Sequence, residues 1–539
     1  MKFDFSASYP SRRAPVMARA AVATSQMLAT QAGAEILAEG GSAADAAVAA
    51  AVALTVVEPT GTGIGADAFA LLNDGRDILG LNGSGRAPAA WTPERFRGAT
   101  AMPLRGWDSV TVPGAVSLWV ALSQRFGRLP FARLFEPAVR YAREGFHVTP
   151  RIATLWAANA AELGGQPGYA DAYMPGGRAP APGEIFRLPA QADTLETIAR
   201  TGGEAFYRGE LAEAIAAHSA AHGGGLAMDD LAAHRCDWVR PLTTRAHGAT
   251  LHEIPPNGQG IAALAALAIL EHCDRPDAGP DDPATLHLQI EAMKLALADL
   301  RTHVADPSAM RLAPEALFAP DYAKSRAAMI DPASAGDPGA GAPEGGGTVL
   351  VAAADAEGQM VSLVQSNYKG FGSGIVVPGT GISLQNRGFG FSLDPAHPNV
   401  VAPGKRPFQT IIPGFASDEH GPAMAFGMMG GPMQAQGHLQ LFERIRRHRQ
   451  TPQAAIDAPR WRALGGRRVA VEAHWPAETL DRLRALGHEI ETSTADETDF
   501  GFGGAQIVHR IEGGYIAGSD GRKDGGAIGL SGAVRASRD

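Results

Sequence analysis

The chain of 539 residues contains only two cysteines, Cys236 and Cys273. Two cysteines cannot build a disulfide framework, and their spacing matches no zinc-binding motif. We therefore expect two reduced thiols, no metal site and no cofactor.

No stretch of the sequence is apolar enough for a membrane helix. The most apolar run, residues 43–57, contains Asp45 and is shorter than the ~20 residues that a membrane span needs. Residues 1–13 include basic side chains but no apolar core of signal-peptide length. These features predict a buried helix at residues 43–57 and a cytoplasmic protein without a membrane partner.

Strong charge is absent as well. The net charge is -9, and 19% of residues are charged against 45% hydrophobic. No basic run is interleaved with aromatic residues, which argues against a nucleic-acid partner. Internal repeats and coiled-coil heptads are also missing, so the composition indicates a globular protein of up to three domains.

The most informative stretch that is present is residues 345–368. A glycine run leads into two β-type segments, 348–353 and 360–365, which are separated by Asp355, Glu357 and Gly358. This pattern predicts a β-hairpin with a glycine-containing turn.

Thr348 begins this hairpin. If the Gly347–Thr348 bond is cut, Thr348 carries both a hydroxyl and an α-amine, whose reference pKa is about 7.7–8.0. One residue then supplies a nucleophile and its base. Taken alone, the stretch is more typical of a flexible surface loop followed by an ordinary hairpin threonine.

Residues elsewhere decide between these interpretations, because several blocks occur in one order. The sequence resembles the γ-glutamyltransferase (γ-glutamyltranspeptidase) family over nearly its whole length. The blocks that carry the resemblance are 39–46 (EGGSAADA), 286–295 (LHLQIEAMKL), 348–355 (TVLVAAAD), 371–375 (FGSGI), 381–386 (GISLQN), 403–407 (PGKRP) and 429–432 (MGGP).

The resemblance implies a precursor that cleaves itself between Gly347 and Thr348. It implies the α+β fold of N-terminal-nucleophile hydrolases, a four-layer αββα sandwich. A helix-rich large fragment, 1–347, would end in a Gly/Pro-rich linker at residues 335–347, and a small catalytic fragment would span 348–539. Both fragments would stay associated around one core, and the resemblance also allows a homodimer of processed pairs.

By the same resemblance, Thr348 is the nucleophile and Ser366 takes the place of a family threonine that hydrogen-bonds it. Gly430 and Gly431 lie between a predicted strand, 423–429, and a predicted helix, 433–446. Their backbone N–H groups would form an oxyanion hole for acyl transfer. Without the resemblance, a strand–helix turn that needs glycine dihedrals is the favoured explanation of the pair.

The acyl pocket departs from the family pattern. Gly390 replaces the acidic residue that binds the α-amine of glutamate, and Arg387 replaces an amide. Gln409 and Thr410 replace two serines. Arg387 is expected to bind a substrate carboxylate; the alternatives are a surface arginine or one paired with a nearby carboxylate such as Asp394.

A second departure concerns the arginine that grips the α-carboxylate in typical members. Ser84 stands at its position, and Arg86, two residues further on, is the remaining candidate. Residues 365–368 (QSNY), which include Tyr368 as a substrate contact, are similar to a glutaryl-cephalosporin acylase-like branch. A glutaryl group lacks the α-amine, which agrees with the loss of its carboxylate partner.

Four functions remain open at this point. A γ-glutamyl hydrolase or transferase would act on glutathione-like amides, and an amidohydrolase would act on dicarboxylic monoamides that lack an α-amine. A processed but non-catalytic binding protein is the third. A serine hydrolase is the fourth, although no G-x-S-x-G motif is present.

The spacing of apolar residues predicts helices over most of residues 112–330. Two further helices, 31–39 and 42–55, are expected with Thr30 and Ser42 as N-caps. His218 and His222 are expected in the last turn of a helix, and His252, His287 and His303 are expected to be structural.

Overall fold

The computed structural model describes residues 12–338, 347–493 and 501–531 of a mixed α/β protein. Residues 1–11 and 339–346, which include most of the expected linker, lie outside the described ranges. The strands in chain order, β1 to β21, are Val16–Ala18, Ala20–Thr24, Asp67–Asn73, Ile78–Asn82, Phe146–His147, Ile185–Phe186, Asp237–Val239, Leu242–Ala246, Ala249–Glu253, Gly347–Ala354, Met360–Tyr368, Val376–Val377, Ile382–Ser383, Pro413–Asp418, Gly421–Met429, Trp461–Gly465, Arg468–Glu472, Glu489–Ser493, Gly504–Ile511, Gly514–Ser519 and Gly526–Leu530.

Helices occupy much of the chain before the β10–β11 hairpin, as the periodicity predicted. The α-helices in chain order, α1 to α16, are Met27–Ala38, Ala43–Val57, Ala115–Phe126, Glu136–Glu144, Pro150–Leu163, Tyr169–Tyr173, Pro189–Thr201, Glu204–Arg208, Glu210–Ala221, Met228–Ala233, Gly260–Leu270, Pro283–His303, Pro320–Ala327, Met433–Phe442, Pro452–Asp457 and Ala477–Ala485. In the described ranges, no helix combines the length and hydropathy needed to cross a membrane.

Two seven-stranded sheets form the centre of the molecule. Sheet I has the strand order β21-β2-β10-β11-β3-β4-β7, and sheet II has the order β1-β20-β19-β15-β14-β9-β8. Both sheets contain strands from before and after Thr348, so neither part of the chain completes a sheet without the other.

The sheets face each other through β10, β11, β15 and β19. Helix α2 packs on the outer side of sheet I, and α11 and α14 pack against sheet II. One apolar core lies between sheet I and the helices around α2, and a second lies between the sheets and extends to α11, α12 and α14.

The expected hairpin at residues 348–365 is confirmed. β10 and β11 are antiparallel neighbours, and β11 is buried along all nine residues. Strands covered on both faces tolerate continuous apolar sequence, which explains why the β10 sequence shows no polar alternation.

Helix α2 is buried at all 15 positions. A helix that is apolar all round is stable only when it is covered on every side, and α2 contacts sheet I together with α1, α3 and α4. The Ser42 side chain accepts a hydrogen bond from the Asp45 N–H and caps the helix, as predicted. The Thr30 cap is wrong, because α1 begins one turn earlier and Gln26 caps it.

Candidate active site

Thr348 lies near the start of β10, beside Ser366 of β11. The pairing register shifts between Gly347 and Val349, so Thr348 faces two residues of β11, Ser366 and Asn367. Such an irregularity re-aims side chains at the end of a ladder. The buried Thr348 Oγ1 donates a hydrogen bond of 3.3 Å to Ser366 Oγ. The geometry therefore brings together the two hydroxyl residues expected from the sequence.

Tyr368 holds Ser366 from the other side. Its backbone N–H donates a hydrogen bond of 2.7 Å to Ser366 Oγ, and Tyr368 pairs with Gly347 across the strands. The φ angle of Tyr368 is +80°, which bulky residues rarely adopt and which requires support from the surrounding structure. A strained backbone thus lies directly opposite the predicted cleavage position.

Gln434 is a contact of Thr348 that sequence reasoning missed. Its Nε2 donates to Thr348 Oγ1 over 3.3 Å, and its Oε1 accepts from the Ile412 N–H at 3.0 Å. Because the Ile412 N–H must face the amide oxygen, the NH₂ group of Gln434 faces Thr348. The available signal was its place in the first turn of a helix that follows a glycine pair.

Gly430 and Gly431 connect β15 to α14, as the strand–helix prediction required. Their φ angles are +119° and +56°, a region that favours glycine. Among the described residues, no acceptor is assigned to the N–H group of either glycine. Gln434 follows Gly431 by three residues and reaches Thr348, so the glycine turn lies within one helical turn of a Thr348 contact. Helix N-termini also stabilise negative charge.

Arg387 is buried, with 2% of its surface exposed, so it is not a surface arginine. Its Nη1 donates a 3.0 Å hydrogen bond to Thr410 Oγ1, and its guanidinium lies 5.0 Å from the centre of the Tyr368 ring. Burial lowers the pKa of Arg387 to about 10, so it remains charged at neutral pH. Within the described ranges, Nε and Nη2 have no hydrogen-bond partner.

The alternative pairing of Arg387 with Asp394 is not observed in the described part of the chain. Asp394 accepts instead from the backbone N–H of Ala396 at 2.9 Å, in an exposed turn. Two donors of a buried guanidinium are therefore available to a ligand, and planar N–H pairs of this kind match a carboxylate.

Asp67 is a buried carboxylate that sequence reasoning missed. It lies on β3 directly beside Ser366, and the Gln409 Nε2 donates to its Oδ2 at 2.8 Å. The backbone N–H groups of Gly85 and Gly114 each donate to its Oδ1 at 3.2 Å. Burial raises the pKa of Asp67 to about 6, against the opposing charge of Arg387.

Gln409, which donates to Asp67, is a further buried polar residue near Arg387. Its Oε1 is buried and has no hydrogen-bond partner among the described residues. The three expected pocket residues Arg387, Gln409 and Thr410 are therefore brought together, with Tyr368 against the guanidinium.

Arg86 lies apart from this group. Its side chain is 45% exposed and faces Asp237 and Asp306 at 3.7 and 3.8 Å. Ser84 is buried and donates to Asn82 Oδ1 at 2.7 Å. No contact joins Arg86 to Arg387 in the described ranges, so its role as a substrate ligand stays a prediction.

A buried polar cluster lies elsewhere, where His287, Glu291 and His488 come close enough to hold a metal ion. However, the Lys294 ammonium lies 2.6 Å from Glu291 Oε1, and His287 Nδ1 lies 2.8 Å from His488 Nε2. These contacts already compensate the Glu291 charge and explain the cluster as a structural link between α12 and the segment around His488.

Comparisons with known proteins give this geometry a context. The structure superposes on that of a cephalosporin acylase from Bacillus halodurans with a TM-score of 0.94 and 46% identity, covering 99% of this chain and all of that one. An oxamate amidohydrolase proenzyme of Klebsiella pneumoniae is 39% identical over 93% of this chain and 97% of its own length. The glutathione hydrolase-like YwrD proenzyme of Bacillus subtilis is 36% identical over 95% of this chain and its full length.

The names of these relatives are those of hydrolases, and the two curated ones are named as proenzymes; a chain similar to them over nearly its whole length is an enzyme of the same class. The model of the gamma-glutamyltranspeptidase family matches residues 29–530. The chain belongs to the gamma-glutamyltranspeptidase family, as the ordered sequence blocks indicated.

Proposed function

We propose that the protein is a self-processing threonine amidohydrolase whose substrate carries a carboxylate on its acyl group. The observation that carries this proposal is the buried Arg387, whose Nε and Nη2 have no partner in the described ranges. Asp67 offsets part of this charge without a hydrogen bond to it, and a substrate carboxylate would add two parallel hydrogen bonds to the free donors.

Maturation comes first in this proposal. Thr348 Oγ attacks the carbonyl carbon of Gly347, the Gly347–Thr348 C–N bond breaks, and the acyl group moves from nitrogen to oxygen. Water then hydrolyses the ester, which leaves a Gly347 carboxylate and a free Thr348 α-amine. The fragments 1–347 and 348–539 stay together because they share both sheets, and helices outside two facing sheets support the four-layer αββα arrangement.

Turnover uses the same hydroxyl. The new α-amine takes the Thr348 proton, Oγ attacks the substrate amide, and the developing oxyanion is held by the N–H groups of Gly430 and Gly431. The Gln434 amide donates to Thr348 Oγ1, and the Ser366 hydroxyl, which accepts from Thr348 in the resting state, turns to donate once the proton has left, so both stabilise the deprotonating oxygen. The amine leaves with the proton, and water or a second amine releases the acyl group.

The position of Arg387 favours a short acyl chain. Thr348, Ser366 and Asp67 lie on three adjacent strands of sheet I, so about 10 Å separates the first from the last. Arg387 is placed toward the Asp67 end, since its charge acts on that carboxylate. A glutaryl group has four C–C bonds of about 1.5 Å and spans roughly half of that distance, which leaves room for the guanidinium.

The test compares glutaryl anilide with pentanoyl anilide, which lacks the distal carboxylate. Arg387→Gln should raise KM for glutaryl anilide by roughly a hundredfold, because a charge-assisted bidentate contact is lost. The change for pentanoyl anilide should be small. Arg86→Gln is the matched arginine variant, and a selective loss of glutaryl activity there would transfer the carboxylate site to Arg86. Equal losses on both anilides in Arg387→Gln would contradict the proposal.

A second candidate, hydrolysis of γ-glutamyl amides, is favoured by one observation. Asp67 lies next to Arg387 and offers a negative charge that the loss of an acidic residue at Gly390 otherwise removes. Its oxygens already accept three hydrogen bonds from the protein, which weakens this alternative. Comparing γ-glutamyl with glutaryl anilide in the wild-type enzyme decides between them.

A further inference from the structure

A small cavity of about 130 Å³ lies against the active site. One stripe of helix α12 forms its wall, with Leu297, Leu300 and Val304 spaced three and four residues apart so that they share a face. Phe408 closes it from the segment that precedes Thr410.

The cavity adjoins the Gly430–Gly431 turn and the group of residues around Arg387. Thr410, which accepts the Arg387 hydrogen bond, lines it, and so does Pro432, which follows Gly431. Gln259 joins the two: its Nε2 donates to the carbonyl oxygen of Gly431 at 2.8 Å and to that of Thr410. The cavity thus lies next to the position where the amide carbonyl must sit, and Arg387 does not line it.

Three of the polar residues at the cavity, Gln259, His397 and Asn399, are hydrogen-bonded to the protein itself, and Arg301 also lines it. His397 Nε2 bonds the Arg301 carbonyl oxygen at 2.7 Å. Asn399 donates to the Gly390 carbonyl oxygen at 2.6 Å and accepts from the Phe408 N–H at 3.1 Å. The surface offered to a ligand is therefore mainly the carbon of Leu297, Leu300, Val304, Phe408 and Pro432.

The volume limits what fits. An apolar protein cavity of about 150 Å³ holds one benzene molecule, so about 130 Å³ accommodates one six-membered ring or a branched aliphatic group of similar size. Arg301 supplies a cation in the lining, but a carboxylate would lose much of its hydration against the mainly apolar wall, which favours an uncharged group here.

We propose that this cavity binds the apolar body of the leaving amine, so that the preferred substrates are amides of aromatic or branched aliphatic amines. This inference rests on the proposed function, because it assigns the amine side of an amide whose acyl side is held by Arg387. The inference predicts a preference for such substrates over primary amides, because their leaving group, ammonia, is too small to fill the cavity.

The experiment holds the acyl group constant and varies the amine. We would measure kcat/KM, which reports acylation only, for the anilide, the isobutylamide and the methylamide of glutaric acid. Leu300→Phe fills the cavity and should lower kcat/KM for the anilide and isobutylamide by roughly tenfold to a hundredfold, the factor expected from burial of one such group. The methylamide should change by less than about twofold, since its amine does not enter the cavity.

Leu297→Ala is the second variant, because a larger side chain at Leu300 can disturb folding. It enlarges the cavity and should raise the preference for a naphthylamide over the anilide. Fragment formation and thermal unfolding of each variant verify that it is folded.

Two outcomes would overturn the inference. One is an equal loss on all three amides in Leu300→Phe, together with an unchanged naphthylamide preference in Leu297→Ala. The other is a change in the preference for glutaryl over pentanoyl amides, which would make the cavity part of the acyl pocket. A failure of the proposed function can be distinguished from a failure of this inference. It would be detected with Arg387→Gln, which should lower kcat/KM for all glutaryl amides by the same factor.

Discussion

Gln434 Nε2 lies 3.3 Å from Thr348 Oγ1, and the Gln434 Oε1 is held by the backbone N–H of Ile412. This arrangement points an amide donor at the nucleophilic oxygen, which gains negative character as it loses its proton. Gln434→Glu keeps the shape and the ability to accept from Ile412 but removes the donor. We expect maturation and turnover to slow by roughly tenfold to a hundredfold, as for one lost transition-state hydrogen bond of about 1–3 kcal/mol.

Gln436→Glu is the matched control for that variant. Gln436 lies on the same helix and is also buried, but its amide contacts the backbone of Ala463. It should alter stability more than chemistry. Equal rate losses in both variants would show that the Gln434 effect reflects damage to the helix.

Self-cleavage should yield two polypeptides from the 56.0 kDa chain, about 36 kDa and about 20 kDa in proportion to their lengths of 347 and 192 residues. Thr348→Ala should remain a single chain and be inactive, because the attacking hydroxyl is gone. N-terminal sequencing of the small fragment is the measurement. Any first residue other than Thr348 would contradict the nucleophile assignment.

Ser366→Ala removes a hydroxyl that is 3.3 Å from Thr348 Oγ1. We expect slower maturation and slower turnover, each by roughly tenfold to a hundredfold if the bond strengthens in the transition state. Ser366→Thr keeps the hydroxyl and should retain most of the activity. Unchanged rates for both steps in Ser366→Ala would place Ser366 outside the chemistry.

Asp67 should make substrate binding depend on pH. Its pKa is raised to about 6 by burial, so it is charged at pH 7.5 and largely neutral at pH 5. A charged Asp67 repels a carboxylate bound at Arg387. KM for glutaryl anilide should therefore fall, relative to pentanoyl anilide, by roughly tenfold as the pH drops through 6.

Taking the ratio of the KM values for the two anilides cancels the effects of other titrating groups, including the Thr348 α-amine. Asp67→Asn should abolish the pH step. For a γ-glutamyl substrate the sign reverses, because its ammonium is attracted by the charged Asp67 and released as the pH falls. A ratio that stays constant between pH 5 and 7.5 would remove Asp67 from the pocket.

Elements with strong local signals were predictable from neighbouring residues alone. The β10–β11 hairpin follows from apolar runs around a glycine turn, and the Ser42 cap of α2 follows from the spacing to Asp45. Thr30 failed as a cap because α1 extends one turn further toward Gln26, whose side chain accepts from two backbone N–H groups. That difference lies in a side-chain contact that periodicity does not report.

The sequence by itself determined the family, the order of its sequence blocks and the presence of a cation at Arg387. Only the tertiary structure decided what surrounds that cation. Asp67 and Gln409 are separated by 342 residues, and Gln434 and Thr348 by 86, yet each pair is joined by a hydrogen bond. Such contacts depend on which strands pair and how the two sheets stack, and local sequence preference encodes neither. The same stacking leaves Arg86 beside Asp237 and Asp306 while it buries Arg387 without a carboxylate partner within 4.0 Å among the described residues.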